Sequence, residues 1–207
     1  MSDNIVFLSN VRLSFPTLVE PKLQKGGSTK KYSADFLLTK DNPSFAAFMK
    51  VVNEIAVAKW KENAGAVISM LNNDRKLRCY GKGEEKINQK TFKVYDGYPD
   101  HLYISANQVE SKIVQMIRPD GTSVPSSDTL EYQALARKLY GGCYVHAAVK
   151  PWPQDSLDHG KGIRCELLAV KFAKDGEPFG EAPIDTSVMF KPVASAAVEQ
   201  GIPAFLG

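Results

Sequence analysis

Between Arg75 and Tyr98 the chain carries Arg75, Lys76, Arg78, Lys82, Lys86, Lys90 and Lys93 against three acids, Glu84, Glu85 and Asp96. Interleaved with them are Tyr80, Phe92, Tyr95 and Tyr98. Cations and flat rings at this density suit a polyanion whose bases are unstacked: lysine and arginine meet the phosphates, and aromatic rings meet the base faces. Stacking is worth ~1–3 kcal/mol per base, so three or four rings would rival the electrostatic contribution. Arg78, Tyr80, Lys82, Phe92, Lys93 and Tyr95 are the candidates from this stretch. The competing reading is a solvated loop with incidental lysines whose rings turn back into the core.

A second platform lies between Cys143 and Trp152. A period of two puts Tyr144, His146, Lys150 and Trp152 on one face of a strand and Cys143, Val145, Ala147 and Val149 on the other. The second set reads as core. The first is a row of stackable rings with a cation, and Arg164 on a following strand could stand beside it. Tyr103, Lys31 and Tyr32 just after Lys30, and Arg12 on the polar face of the first strand are lesser candidates on the same logic. Trp60 falls in a helical apolar stripe and reads as a core anchor.

Other chemistries find less support. His101, His146 and His159 have no HxxxH or HExxH spacing, and Cys79, Cys143 and Cys165 form no CxxC pair. Reduced, buried thiols are expected, with no metal and no cofactor. No GxxxxGK[ST] or GxSxG motif is present, and Gly81-Lys82-Gly83 is too short to cradle phosphate. A two-metal nuclease would need Asp96, Asp100, Asp155 and Asp158 to converge from two loops. That is one alternative; a protein-interaction module anchored by the aromatic loop is another.

The elements that must position these residues are mostly strands. Ile5, Phe7, Val11, Leu13 and Phe15 alternate with polar residues, predicting a half-buried strand that ends at Pro16 with these five on one face. Tyr32 to Leu38 resumes the period as a second antiparallel strand beyond a long basic loop. Asp41 or Asn42 can cap a helix that has Pro43 in its first turn, an apolar stripe from Phe45 to Trp60 and an end near Ala64. Short alternating segments follow at His101–Asn107 and Lys112–Arg118, then a short helix from Thr129 to Tyr140. Last comes a strand pair, Cys143–Trp152 and Ile163–Ala173, joined by a loop from Pro153 to Gly162. The pattern is mainly β with one prominent helix, and it suggests an OB-like β-barrel with inserted loops rather than a βαβ sheet.

With 207 residues, 43% hydrophobic and 24% charged, one well-buried domain is the default. No run approaches the roughly 18 apolar residues of a membrane span, and Met1-Ser2-Asp3-Asn4 lacks a signal-peptide pattern, so the chain is expected to stay in the cytoplasm where it is made. The net charge of +3 divides unevenly: residues 174–207 carry −3, leaving +6 on residues 1–173. A basic body on an acidic tail suits a polyanion binder.

Several segments resemble the single-stranded-DNA-binding protein family of enterobacterial phages. They are Asn10-Val11-Arg12-Leu13-Ser14-Phe15-Pro16, Lys31-Tyr32-Ser33-Ala34-Asp35-Phe36-Leu37, Tyr140-Gly141-Gly142-Cys143-Tyr144-Val145, Gly160-Lys161-Gly162-Ile163 and Val170 to Gly180. The resemblance implies an OB-fold core over residues 1–180 that coats displaced single strands during phage replication and recombination in an infected bacterium, without enzymatic activity. It also implies a flexible tail, 181–207, that recruits replication or recombination proteins through a terminal aromatic, here Phe205. The acids of this tail largely stop at Asp185, which departs from the family pattern.

Overall fold

The computed structural model describes residues 4–23, 27–125 and 128–180. The 181–207 tail, with Phe205, lies outside the described residues, so the expected domain boundary stays an expectation.

Strand β1, Val6–Leu23, pairs antiparallel with β2, Lys30–Thr39, on one edge and with β6, Tyr144–Ser156, on the other. β2 pairs with β4, His101–Val109, and β6 with β7, Gly160–Lys174. A parallel bridge between Asn107 of β4 and Glu166 of β7 closes the ring. This five-stranded ring, a three-strand meander whose fourth strand returns beside the first, is the OB-type Greek-key barrel the alternation pattern suggests. β3, Tyr80–Lys82, extends the β4 edge, and β5, Gln115–Ile117, lies along β7.

The expected face of β1 is corrected. Val6, Leu8, Val11 and Leu13 are buried, whereas Ile5, Phe7 and Phe15 are exposed. Asn10 takes a left-handed φ of 52°, and the register with β6 slips between Leu8 and Val11, so the inward set shifts by one residue. Phe15 is also left-handed, at φ 46°, where the pairing with β2 slips between Ser14 and Thr17. Pro16 falls inside that slip, where a missing N–H costs no ladder bond, so the strand runs on to Leu23 instead of ending there.

Helix α1, Pro43–Trp60, starts as expected. The Asn42 side chain accepts a hydrogen bond from the Ser44 N–H at 2.9 Å, and Phe48, Val52, Ile55, Ala56 and Trp60 form the buried stripe. Lys61, at φ 49°, ends it four residues short of Ala64. A 3₁₀ turn then starts a second helix, α2, Ala64–Asn73, which buries Val67 and Leu71 and was not legible in the sequence. Helix α3, Thr129–Arg137, is capped by Asp128 and stops before the expected Tyr140. The Pro153–Gly162 segment, expected as a loop, continues the β6–β7 ladder to the pair Ser156 and Gly160.

One apolar cluster fills the barrel and the α1 and α2 contacts. A smaller cluster of Leu37, Tyr98 and Tyr103 lies beneath the 83–100 segment, with Tyr95 and Phe179 packed against it.

Candidate nucleic-acid interface

The basic, aromatic stretch is held onto the outside of the barrel by a polar anchor. Lys86 donates to Asp35 of β2 at 2.8 Å and to the Ser105 hydroxyl of β4 at 3.0 Å. The Tyr98 hydroxyl donates to the same Asp35 oxygen at 2.6 Å, and the Lys86 ammonium lies 4.4 Å from the Tyr103 ring centre. Burial first, and then the Asp35 charge, push the Tyr98 phenol pKa well above its usual range, so it stays a donor. From this anchor a short hairpin projects, bridged at Ile87 and Val94. At its tip Asn88 accepts from the Lys90 N–H at 2.8 Å, and Phe92, at φ 56°, is 83% exposed.

Behind the hairpin is a groove of about 320 Å³ lined by Arg75, Lys76, Lys86, Gln89, Tyr95 and Ser105, among others. Among the described residues, no carboxylate is ion-paired with Lys76, Lys82, Lys90 or Lys93. Lys82, Lys90 and Lys93 are exposed.

The β6–β7 end reaches the same groove. Arg164 donates from Nη1 to the Lys76 carbonyl at 2.8 Å and from Nε to Gln154 at 3.1 Å, and it stands opposite Trp152 in the ladder. Trp152, 40% exposed, therefore belongs to the surface that carries Lys76. The alternation on β6 holds: Cys143, Val145, Ala147 and Val149 are buried, while Tyr144, His146, Lys150 and Trp152 face outward. Lys150 is half-buried opposite Glu166.

Other sequence candidates are placed differently. Tyr32, Tyr80 and Tyr103 are core residues; Tyr103 lines the groove, but it is almost fully buried and the Lys86 ammonium lies over its ring. Burial above all raises the Tyr80 and Tyr103 phenols to about 12. The Arg78 side chain is only 8% exposed and forks onto Glu85 at 2.9 and 3.0 Å, with further bonds to the carbonyls of Leu71 and Tyr80. It braces the groove wall and offers little to phosphate. Lys31 is half-buried between Lys22 and Val109, in neighbouring strands.

Arg12, Tyr144 and His146 form a separate group on the β1–β6 face. The Arg12 guanidinium donates to the Glu177 carbonyl at 2.6 Å and lies 4.3 Å from the Phe179 ring centre and 5.7 Å from that of Tyr144. Lys174 covers Tyr144 at 4.6 Å. His146 stacks on Phe7 with ring centres 5.7 Å apart and planes within 9°. Arg12 thus clamps the 176–180 segment, and the Tyr144 ring is covered by cations of its own chain.

Sequence reasoning missed Arg75, Lys76 and Lys86 as groove residues and Phe7 and Phe15 as exposed rings. The three cations lie within the basic stretch, whose composition does not distinguish them from its other lysines and arginines. For the two rings the available signal was Asn10, which tolerates the left-handed region and can break a period of two.

A family model described as Enterobacter phage Enc34, ssDNA-binding protein, matches residues 4–199. Putative protein p50 of Acyrthosiphon pisum secondary endosymbiont phage 1 is 30% identical over 196 residues, covering 93% of this chain and 96% of that protein. The single-stranded DNA-binding protein from bacteriophage Enc34, solved in complex with ssDNA, superposes with a TM-score of 0.66 at 25% identity, over 86% of this chain and 91% of that one. A second structure of the Enc34 protein gives 0.59 at 28% identity, over 92% of each chain.

Proposed function

This chain belongs to the family of the Enterobacter phage Enc34 ssDNA-binding protein, and we propose that it binds single-stranded DNA without strong sequence preference. The observation that carries the reading is the groove at Lys76, Lys86 and Tyr95, joined to Trp152 through Arg164. Such a groove neutralises a backbone on one side and offers rings to successive bases on the other. Lys76, Lys82, Lys90, Lys93 and Arg75 are the proposed phosphate contacts; Tyr95, Trp152 and Phe92 are the proposed stacking platforms.

We read the protein as a binder and not as a nuclease. Asp155, one of the four carboxylates a two-metal site would need, accepts from the Trp60 indole at 2.9 Å and pairs with Lys161 at 3.3 Å, and Asp100 pairs with Lys40 at 3.4 Å. Its role would be to protect displaced strands during phage replication and recombination in the cytoplasm of the infected bacterium, with proteins recruited through the tail at Phe205. No helix among the described residues is long and apolar enough to cross a membrane.

The test is fluorescence anisotropy with labelled oligo-dT and with a matched duplex, at two salt concentrations and with EDTA present. Tighter, salt-sensitive binding to oligo-dT is expected. Binding to neither would overturn the reading, and strand loss on adding Mg²⁺ would identify a nuclease instead.

A further inference from the structure

Next to the basic groove lies a second cavity of about 280 Å³, whose lining includes Ser14, Phe15, Pro16, Tyr95, Asp96 and Phe179. Tyr95 is a wall of both cavities. The second cavity opens where β1 and β2 lose register between Ser14 and Thr17. Phe15 is held there at φ 46°, a conformation disfavoured for a bulky side chain, and the residue is 52% exposed. The same ring packs edge-to-face on Tyr95 with centres 4.8 Å apart.

The two cavities differ in chemistry. The groove is lined by Arg75, Lys76, Arg78 and Lys86. The notch contains no lysine or arginine among its lining residues, and its one charged lining residue is the exposed Asp96. A phosphate would be repelled by that carboxylate, whereas a flat apolar ring bearing N–H donors on its edge would fit.

We propose that the notch between Phe15 and Tyr95 is a nucleobase subsite, in which a base leaving the groove across Tyr95 stacks on Phe15 and presents its edge to Asp96. This rests on the single-stranded-DNA reading above and extends it to one selective position. A carboxylate accepts the exocyclic amino protons of cytosine. Thymine offers it one N–H flanked by two carbonyl oxygens, which the carboxylate repels. The subsite therefore favours cytosine over thymine within an otherwise tolerant binding track.

The experiment compares oligo-dC and oligo-dT by anisotropy, and follows quenching of 2-aminopurine placed in an oligo-dT, for the full chain and for Phe15→Ala, Phe15→Gly and Asp96→Asn. The wild type should bind oligo-dC about fivefold to tenfold more tightly than oligo-dT. Asp96→Asn should abolish that difference, because its amide N–H2 can donate to the thymine carbonyls that the carboxylate repels. Phe15→Ala should weaken binding of both oligomers by at least about fivefold and reduce the quenching. Phe15→Gly suits the left-handed backbone, so a stable protein with the same loss would assign the effect to the ring and not to misfolding. Wild-type-like affinity and quenching in both Phe15 variants, or a dC-to-dT ratio unmoved by Asp96→Asn, would overturn the subsite while leaving single-strand binding standing. Absence of binding by the wild type to either oligomer would overturn both.

Discussion

Lys86 and Asp35 are 51 positions apart and meet at 2.8 Å on the outer face of the barrel, with the Tyr98 hydroxyl on the same carboxylate oxygen. The pair fixes where the basic, aromatic segment sits, because both ends of the projecting hairpin are tied to one β2 side chain. Asp35→Ala leaves an ammonium and a phenol without their acceptor in a mostly buried setting. We expect a loss of about 2–3 kcal/mol in urea unfolding, below the full range for buried pairs because Lys86 keeps some contact with water. Tyr98→Phe should cost about 1.5–3 kcal/mol, since it removes a bond to a charged group.

Salt dependence separates phosphate contacts from bracing cations. For single strands the slope of log K against log salt changes by about 0.7 per phosphate contact. Lys76→Ala and Lys93→Ala should each flatten the slope by about that amount at unchanged stability. Arg78→Ala should instead lower the melting temperature, since its guanidinium is committed to Glu85 and to backbone carbonyls. The check is oligo-dT titration at four salt concentrations alongside thermal melts.

The 176–180 segment is seated by absent side chains. Gly97, at φ 80°, has no room for a Cβ because the Phe179 ring occupies that space, and Gly142, at φ 111°, meets the Glu177 carbonyl in the same way. Gly97→Ala should displace Phe179 from Arg12. The readout is faster proteolytic trimming near residue 179 together with a lower melting temperature.

Asp155 ties the β6–β7 hairpin to α1 through the Trp60 indole. That hydrogen bond first, and Lys161 next, hold its carboxyl below the ordinary value of 3.8. A carboxyl depressed in the folded state stabilises the fold above its unfolded pKa, and the contribution is lost as pH falls through the lowered value. Between pH 5 and pH 3, wild-type melting temperatures should therefore fall more steeply than those of Asp155→Asn, with equal slopes above pH 5.

Much of this architecture is local and so was legible in the sequence. Asn42 and Pro43 with the Phe48 to Trp60 stripe determine the start and buried face of α1, and strict alternation from Cys143 to Trp152 determines which face of β6 is core. The cations and rings between Arg75 and Tyr98 mark the right segment by composition alone. Tertiary structure decided which of those residues are free. Tyr80 and Tyr103, expected as platforms, pack into the core, and Arg78 is spent on Glu85. Phe15, expected on the apolar face of the first strand, points outward because a left-handed backbone and a register slip against a distant partner strand reverse the period. Periodicity reports only on a residue's own strand. A bulge, an ion pair with Asp35, or the bond from Arg164 that brings Trp152 to the Lys76 rim depends on residues 51 and 88 positions away, and no local pattern encodes them.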